Sequence, residues 1–221
     1  MMQKIAFFVE GYTEVLFINK LITEICGIHK VTVEHSEIKG GGKSGKVPRT
    51  LSVLSVKKAT EEESLYVLIV DCGKDKHVTQ YIRDEHESLT KNGYKKIIGL
   101  RDVRPDFTAN QIPQLIQGLN KYVKTSLAPV EFILSQMEIE AWFLSEHNHF
   151  EKIDPSLTVK SIRDNLGFDP SIEDMSLRLD PAVDLGACYS LAAHTYIKSD
   201  PKTVNSLDYE YICNPPIFSH S

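Results

Sequence analysis

Six carboxylates stand at or just beyond the ends of apolar runs in this chain. Glu10 and Glu14 follow Ile5-Ala6-Phe7-Phe8-Val9, Asp71 and Asp75 follow Leu65-Tyr66-Val67-Leu68-Ile69-Val70, and Glu138 and Glu140 follow the run 129–134. If Glu10, Asp71 and Glu138 converge from three strand ends, with Glu14, Asp75 or Glu140 nearby, they repel one another and raise their own pKa values unless a divalent cation offsets the charge. Hard oxygen donors select Mg²⁺ or Mn²⁺ over zinc. One or two such ions activate a water, bind the non-bridging oxygens of a phosphodiester and stabilise its leaving oxygen, so no covalent nucleophile is required.

The elements that must position these groups follow from pattern. An apolar run that ends on Glu10-Gly11 and gives way to the amphipathic stretch 15–25 reads as a buried strand turning into a helix, with Thr13 as a plausible N-cap and Glu14 in the first turn. Residues 30–38 alternate as a second strand before Gly40-Gly41-Gly42, and 65–70 is the clearest strand in the chain, so Asp71 repeats the placement of Glu10. A helix over 77–91, a strand over 95–100, a helix over 111–124 and a strand over 129–134 complete a βα alternation. That order implies a mainly parallel sheet flanked by helices, whose carboxyl edge is where ligands bind. The segment 101–106 reads as a loop at that edge. Further on, 158–166, 182–197 and 203–211 read as short helices broken by Asp-Pro pairs, giving a domain over 1–150 and a small helical extension over 151–221.

Val9-Glu10-Gly11-Tyr12-Thr13-Glu14 resembles the opening motif of TOPRIM domains, in the E-G-x-x-E form of the OLD-like and RloB-like bacterial branch. Glu138-Ile139-Glu140-Ala141-Trp142 resembles the E-x-E-x-W that follows the last core strand in those small proteins. The resemblance implies a TOPRIM-like Rossmannoid fold and a Mg²⁺- or Mn²⁺-dependent nuclease. It implies a catalytic set of Glu10, Asp71 and Glu138, with Glu14, Asp75 and Glu140 as further metal-binding residues. It also implies an ATPase partner and a role in defence against phage or foreign DNA. One departure stands out: where the family has D-x-D, this chain has Asp71-Cys72-Gly73-Lys74-Asp75, so Asp75 reaches the same ion only if Gly73 lets the loop fold back. In a regular helix residues two apart point about 200° from each other, so Glu138 and Glu140 share a target only if one precedes the first turn. Trp142 reads as core packing.

Composition bounds the partners. The 221 residues are 42% hydrophobic, no run approaches a membrane span, and no signal-peptide pattern opens the chain, so a cytoplasmic protein is the expectation. The four cysteines form no C-x-x-C pair and read as reduced core residues, neither a disulfide framework nor a zinc site. The formal net charge of −5 comes from the tail, where 11 acids oppose 6 Lys and Arg from Glu151 onward. Lys39, Lys43, Lys46 and Arg49, continued by Lys57 and Lys58, instead form a run with no acid between Ile38 and Thr60. It reads either as a solvated loop and helix face or as a rim that tracks the phosphates of DNA or RNA. Gly42-Lys43-Ser44 has Glu37 where a P-loop needs its first glycine, which excludes that motif. His147-Asn148-His149 has alternate-residue spacing that could chelate a metal, but reads first as an exposed loop. Two other functions fit the sequence: a non-catalytic regulatory subunit with a degenerate metal site, and a nucleotide phosphohydrolase.

Overall fold

The computed structural model describes residues 2–40, 49–62, 64–104, 106–121 and 123–214. It is an α/β protein whose six-stranded, mostly parallel sheet has the order β3-β2-β4-β1-β5-β6. The strands are β1 (Gln3–Val9), β2 (Val31–Lys39), β3 (Thr50–Lys57), β4 (Leu65–Asp71), β5 (Lys96–Asp102) and β6 (Val130–Ser135). Helices α1 (Tyr12–Cys26), α2 (Asp75–Lys91) and α3 (Ile112–Asn120) connect them. β1 runs parallel to both β4 and β5, and β2 parallel to β4, while β3 folds back antiparallel on β2.

The buried runs form strands because both faces of the sheet are covered. Ala6 and Phe8 of β1, with Leu68 and Val70 of β4, pack under Val78, Ile82 and Leu89 of α2. α1 lies on the other face, where its first residue, Tyr12, meets the ring of His35 at 5.6 Å. Close packing under α2 leaves one position without room for a side chain. A Cβ at Gly99 would stand 2.7 Å from Phe132 Cδ1 and 2.8 Å from Ile82 Cδ1. Gly99→Ala is therefore expected to lower stability by about 1–3 kcal/mol, read as a shift of the urea midpoint at constant slope.

By internal contacts the chain divides into two units, one of residues Met1–Arg101 and Phe107–Leu134, the other of Asp102–Asp106 and Ser135–Ser221. The division falls at 134/135, whereas the sequence suggests 150/151. The segment before 150 sides with the tail because α4 (Glu140–Ser145) packs on α7 (Pro181–Ser190) and α5 (His149–Ile153) packs on α8 (Pro201–Ser206). α6 (Val159–Leu166) and α9 (Tyr209–Cys213) complete the helices of the second unit.

The tail's acidity has a local use. Asp174, Asp180, Asp200 and Asp208 each accept a backbone N–H as an N-cap, and Asp154 and Asp169 hold the N–H of the serine two residues on. Two of the Asp-Pro pairs that read as helix breaks therefore start helices, with Asp180 and Asp200 at the cap and proline in the first turn.

Other differences from the sequence reading also have physical causes. Gly11, not Thr13, is the N-cap of α1, and Thr13 is buried in the first turn. Residues 50–57 form a strand, because Leu51, Val53 and Val56 find β2 to pair with. Arg101 and Asp102 extend β5 and are buried, where a loop was expected. His149 is fully buried at the start of α5, with its Nδ1 on the Glu146 carbonyl, rather than in an exposed loop.

Candidate functional site

β1 and β4 lie side by side, yet their following helices leave toward opposite faces of the sheet. α1 carries the chain toward β2, and α2 carries it across β1 to β5. The two connections therefore diverge at the carboxyl edge, a topological switch point of the kind beside which α/β proteins bind ligands. The register sets what stands there. Val9 pairs with Asp71, so Glu10 is the first residue beyond β1 and Asp71 the last of β4. Adjacent strands are ~4.8 Å apart, which brings these two predicted carboxylates to neighbouring positions on one edge.

Local backbone fixes both. Gly73 takes φ +70°, and its N–H donates to Asp71 Oδ1 at 2.9 Å. This is the tight glycine turn the sequence suggested, and it anchors Asp71. Asp75 opens α2; its side chain lies outside the described residues. Glu14 is buried in the first turn of α1 and folds back over Gly11, where an added Cβ would stand 3.4 Å from Glu14 Oε2. The glycine of E-G-x-x-E thus leaves room for the second glutamate.

β2 adds two groups that the spacing of acids does not reveal. Glu37 pairs with Asp71 across the β2–β4 ladder, and His35 lies on the same face two residues earlier. Burial, with help from Glu37, pushes the Asp71 carboxyl above its ordinary range, against the opposing pull of the Gly73 N–H and His35. Burial likewise lowers His35, against the attraction of Asp71 and Glu37. Among the described residues the buried His35 Nε2 has no hydrogen-bond partner. A half-buried carboxylate that resists ionisation, next to a second carboxylate, holds a proton or a cation more readily than it stands alone. Buried Cys72, beside it, has its thiol pushed far up by burial and is no nucleophile.

Glu138 and Glu140 belong to the second unit. α4 begins at Glu140, so Glu138 precedes the first turn and both carboxylates reach one cation, as the helical geometry required. That cation is Lys198, whose Nζ lies 3.0 Å from Glu138 Oε1 and 3.6 Å from Glu140 Oε1. Glu140, almost wholly buried, also accepts from Tyr196 Oη at 2.6 Å, and Glu138 accepts the Ala182 N–H at 3.3 Å. Trp142 is half-buried. Among the described residues, no three or more His, Cys, Asp or Glu side chains stand together as a metal-binding group.

Of the basic residues, Lys39 pairs with Glu37 at 2.8 Å. Arg49 donates to Asp84 at 2.8 Å and lies over the Tyr81 ring at 5.1 Å, holding the start of β3 to α2. A phosphate would have to compete with both engagements. Lys43 and Lys46 lie outside the described residues. Among the described residues no helix is long and apolar enough to cross a membrane.

No family model and no curated protein matches the chain. Among solved structures it is similar to a protein from Lactobacillus plantarum WCFS1, assigned there only provisionally as a cell-surface hydrolase, at 14% identity and a TM-score of 0.31. That likeness covers 60% of this chain, which spans about half (52%) of the other's length. A likeness of that size says nothing about the chemistry of the carboxyl edge.

Proposed function

We propose that the chain is a divalent-metal-dependent phosphodiesterase of the TOPRIM type, acting on DNA or RNA, with its reaction centre at the carboxyl ends of β1 and β4. The observation that carries this reading is the register that sets Glu10 immediately beyond β1 and Asp71 at the end of the adjacent β4, at the switch point of the sheet. Their chemistry fits Mg²⁺ or Mn²⁺, because Mg²⁺ is commonly held by one or two carboxylates, the remaining positions going to water and substrate phosphate. Such an ion would supply charge neutralisation and an activated water. Within the chain, Glu10 and Asp71 would hold it, and Glu14 would support the Gly11 turn from which Glu10 projects. His35 would shield and orient Asp71, and Lys39, Lys43 and Lys46 would meet the phosphate backbone. An ATPase partner and a defence role belong to the same proposal and rest on the motif resemblance alone.

Purified protein incubated with Mn²⁺ or Mg²⁺ and a panel of duplex DNA, single-stranded DNA, tRNA and nucleotides tests it. Metal-dependent cleavage of a polymer is expected. Activity on nucleotides alone would make it a phosphohydrolase. Metal should also raise the melting temperature, because an ion bound only by the folded state adds about 2.7 kcal/mol at a hundredfold excess over Kd, and EDTA should reverse the gain. One observation favours a regulatory subunit as second reading: Lys198 already neutralises the Glu138–Glu140 pair. A melting temperature indifferent to millimolar metal, with no cleavage of any substrate, would decide for that reading.

A further inference from the structure

β3 is the outermost strand on its side of the sheet, and its residues from Val53 to Val56 are exposed, with Val53, Leu54 and Val56 at 56%, 49% and 43%. From Thr50 to Val56 it carries neither charge nor proline. Such an edge offers a row of unpaired N–H and C=O groups to another chain, and proteins usually blunt it with charge or proline. The opposite edge carries charge within the strand: β6 contains Glu131, which pairs with Lys96.

The sequence of β3 names its partner. Thr50-Leu51-Ser52-Val53-Leu54-Ser55-Val56-Lys57 reads the same by residue class in both directions: polar, apolar, polar, apolar, apolar, polar, apolar, polar. A two-fold antiparallel pair centred between Val53 and Leu54 would set Leu51 opposite Val56, Ser52 opposite Ser55 and Thr50 opposite Lys57. In an unbroken strand that pairing fails, because opposed residues must point to the same face and each of these pairs differs in parity. The structure removes the conflict with a β-bulge. Ser55 pairs with His35 but Val53 pairs with Ser36, leaving Leu54 as the extra residue and reversing the alternation across it. As a result Leu51, Val53 and Val56 stand opposite Ile38, Ser36 and Glu34 on one face. Thr50, Ser52, Ser55 and Lys57 stand opposite Lys39, Glu37, His35 and Val33 on the other. The three pairs that flank the centre, Leu51 with Val56, Ser52 with Ser55 and Thr50 with Lys57, then each share a face, apolar with apolar and polar with polar.

We propose that β3 is a homodimerisation strand, pairing antiparallel with β3 of a second copy of this chain and joining the two sheets into one. The contact is isologous, as a two-fold dimer requires, and closes without leaving either β3 edge open. At tens of micromolar, light scattering should give twice the 25.0 kDa chain mass. Val53→Lys with Val56→Lys should halve it while leaving circular dichroism unchanged, since both side chains are exposed. The register is tested separately, in a background with Cys26 and Cys213 replaced by serine. Ser52→Cys protein mixed with Ser55→Cys protein should form a disulfide-linked dimer on mild oxidation, and neither variant should do so alone. A monomer at that concentration, a dimer that survives the double lysine change, or the lack of the mixed cross-link would each overturn the proposal.

Discussion

Glu10→Gln and Asp71→Asn are each expected to lower metal-dependent cleavage by at least about a thousandfold, equivalent to about 4 kcal/mol of transition-state stabilisation, without unfolding the chain. Both changes keep side-chain volume and remove only charge. At Asp71 the amide oxygen can still accept the Gly73 N–H that shapes the turn. The two effects on stability should separate. Because burial raises the Asp71 carboxyl in the folded state, its contribution to folding is present at low pH, below the unfolded value, and is lost as pH rises through the folded one. At neutral pH without metal, ionised Asp71 therefore opposes folding, and Asp71→Asn should melt no lower than the parent protein. With Mn²⁺ the order reverses, since only the parent gains from the ion. The same raised carboxyl must lose its proton to bind metal, so the metal-induced gain should fade on acidification at a higher pH than an exposed aspartate would give. Melting curves of both proteins, with and without metal across pH, read all of this. An Asp71→Asn protein that still cleaves, or that still gains stability from Mn²⁺, would remove this edge from the reaction centre.

How far this arrangement could be read in advance depended on how local its causes are. Glu10 and Asp71 were legible because each ends an apolar run that can only be a buried strand, and the turn at Gly73 because a glycine after the acid permits positive φ. His35 and Glu37 were not. Their place beside Asp71 comes from β2 pairing with β4, a non-local choice that alternation within 31–39 cannot reveal. β3 was hidden for a related reason, since its exposed apolar residues and neighbouring lysines look like a solvated segment until β2 supplies a ladder. The tail's acids stand out in the sequence only as the source of the net charge, yet six of them cap helices or turns, because a capping carboxylate looks the same in sequence as a solvated one. The dependence of Glu138 and Glu140 on Lys198 spans some sixty residues of chain and carries no local signal at all.

Lys198→Met should destabilise the metal-free protein by about 1–2 kcal/mol, a figure kept below that for a fully buried pair because Lys198 and Glu138 are partly exposed, and Mn²⁺ should restore most of the loss. Without the ammonium, Glu140 is left almost wholly buried beside a second carboxylate, with the Tyr196 hydroxyl donating to Glu140 and the Ala182 N–H to Glu138. Two carboxylates that shared one cation, and have lost it, attract another. The segment that delivers Tyr196 and Lys198 is also under backbone strain. Ala193 at φ 57° and Ser199 at φ 70° bracket it, the two non-glycine residues with positive φ among those described. Each costs about 1 kcal/mol or more, which the contacts with Glu138 and Glu140 offset in the metal-free fold. Removing the lysine both frees the acids and relaxes the reason for the strained path, so a divalent ion should bind the variant more tightly than the parent. Lys198→Arg is the control, since it keeps the charge and should keep the parent's weaker metal response. If Mn²⁺ fails to rescue Lys198→Met while Glu140→Gln in the same background does, the pair is a structural ion bridge closed to metal, and the metal chemistry rests on Glu10 and Asp71.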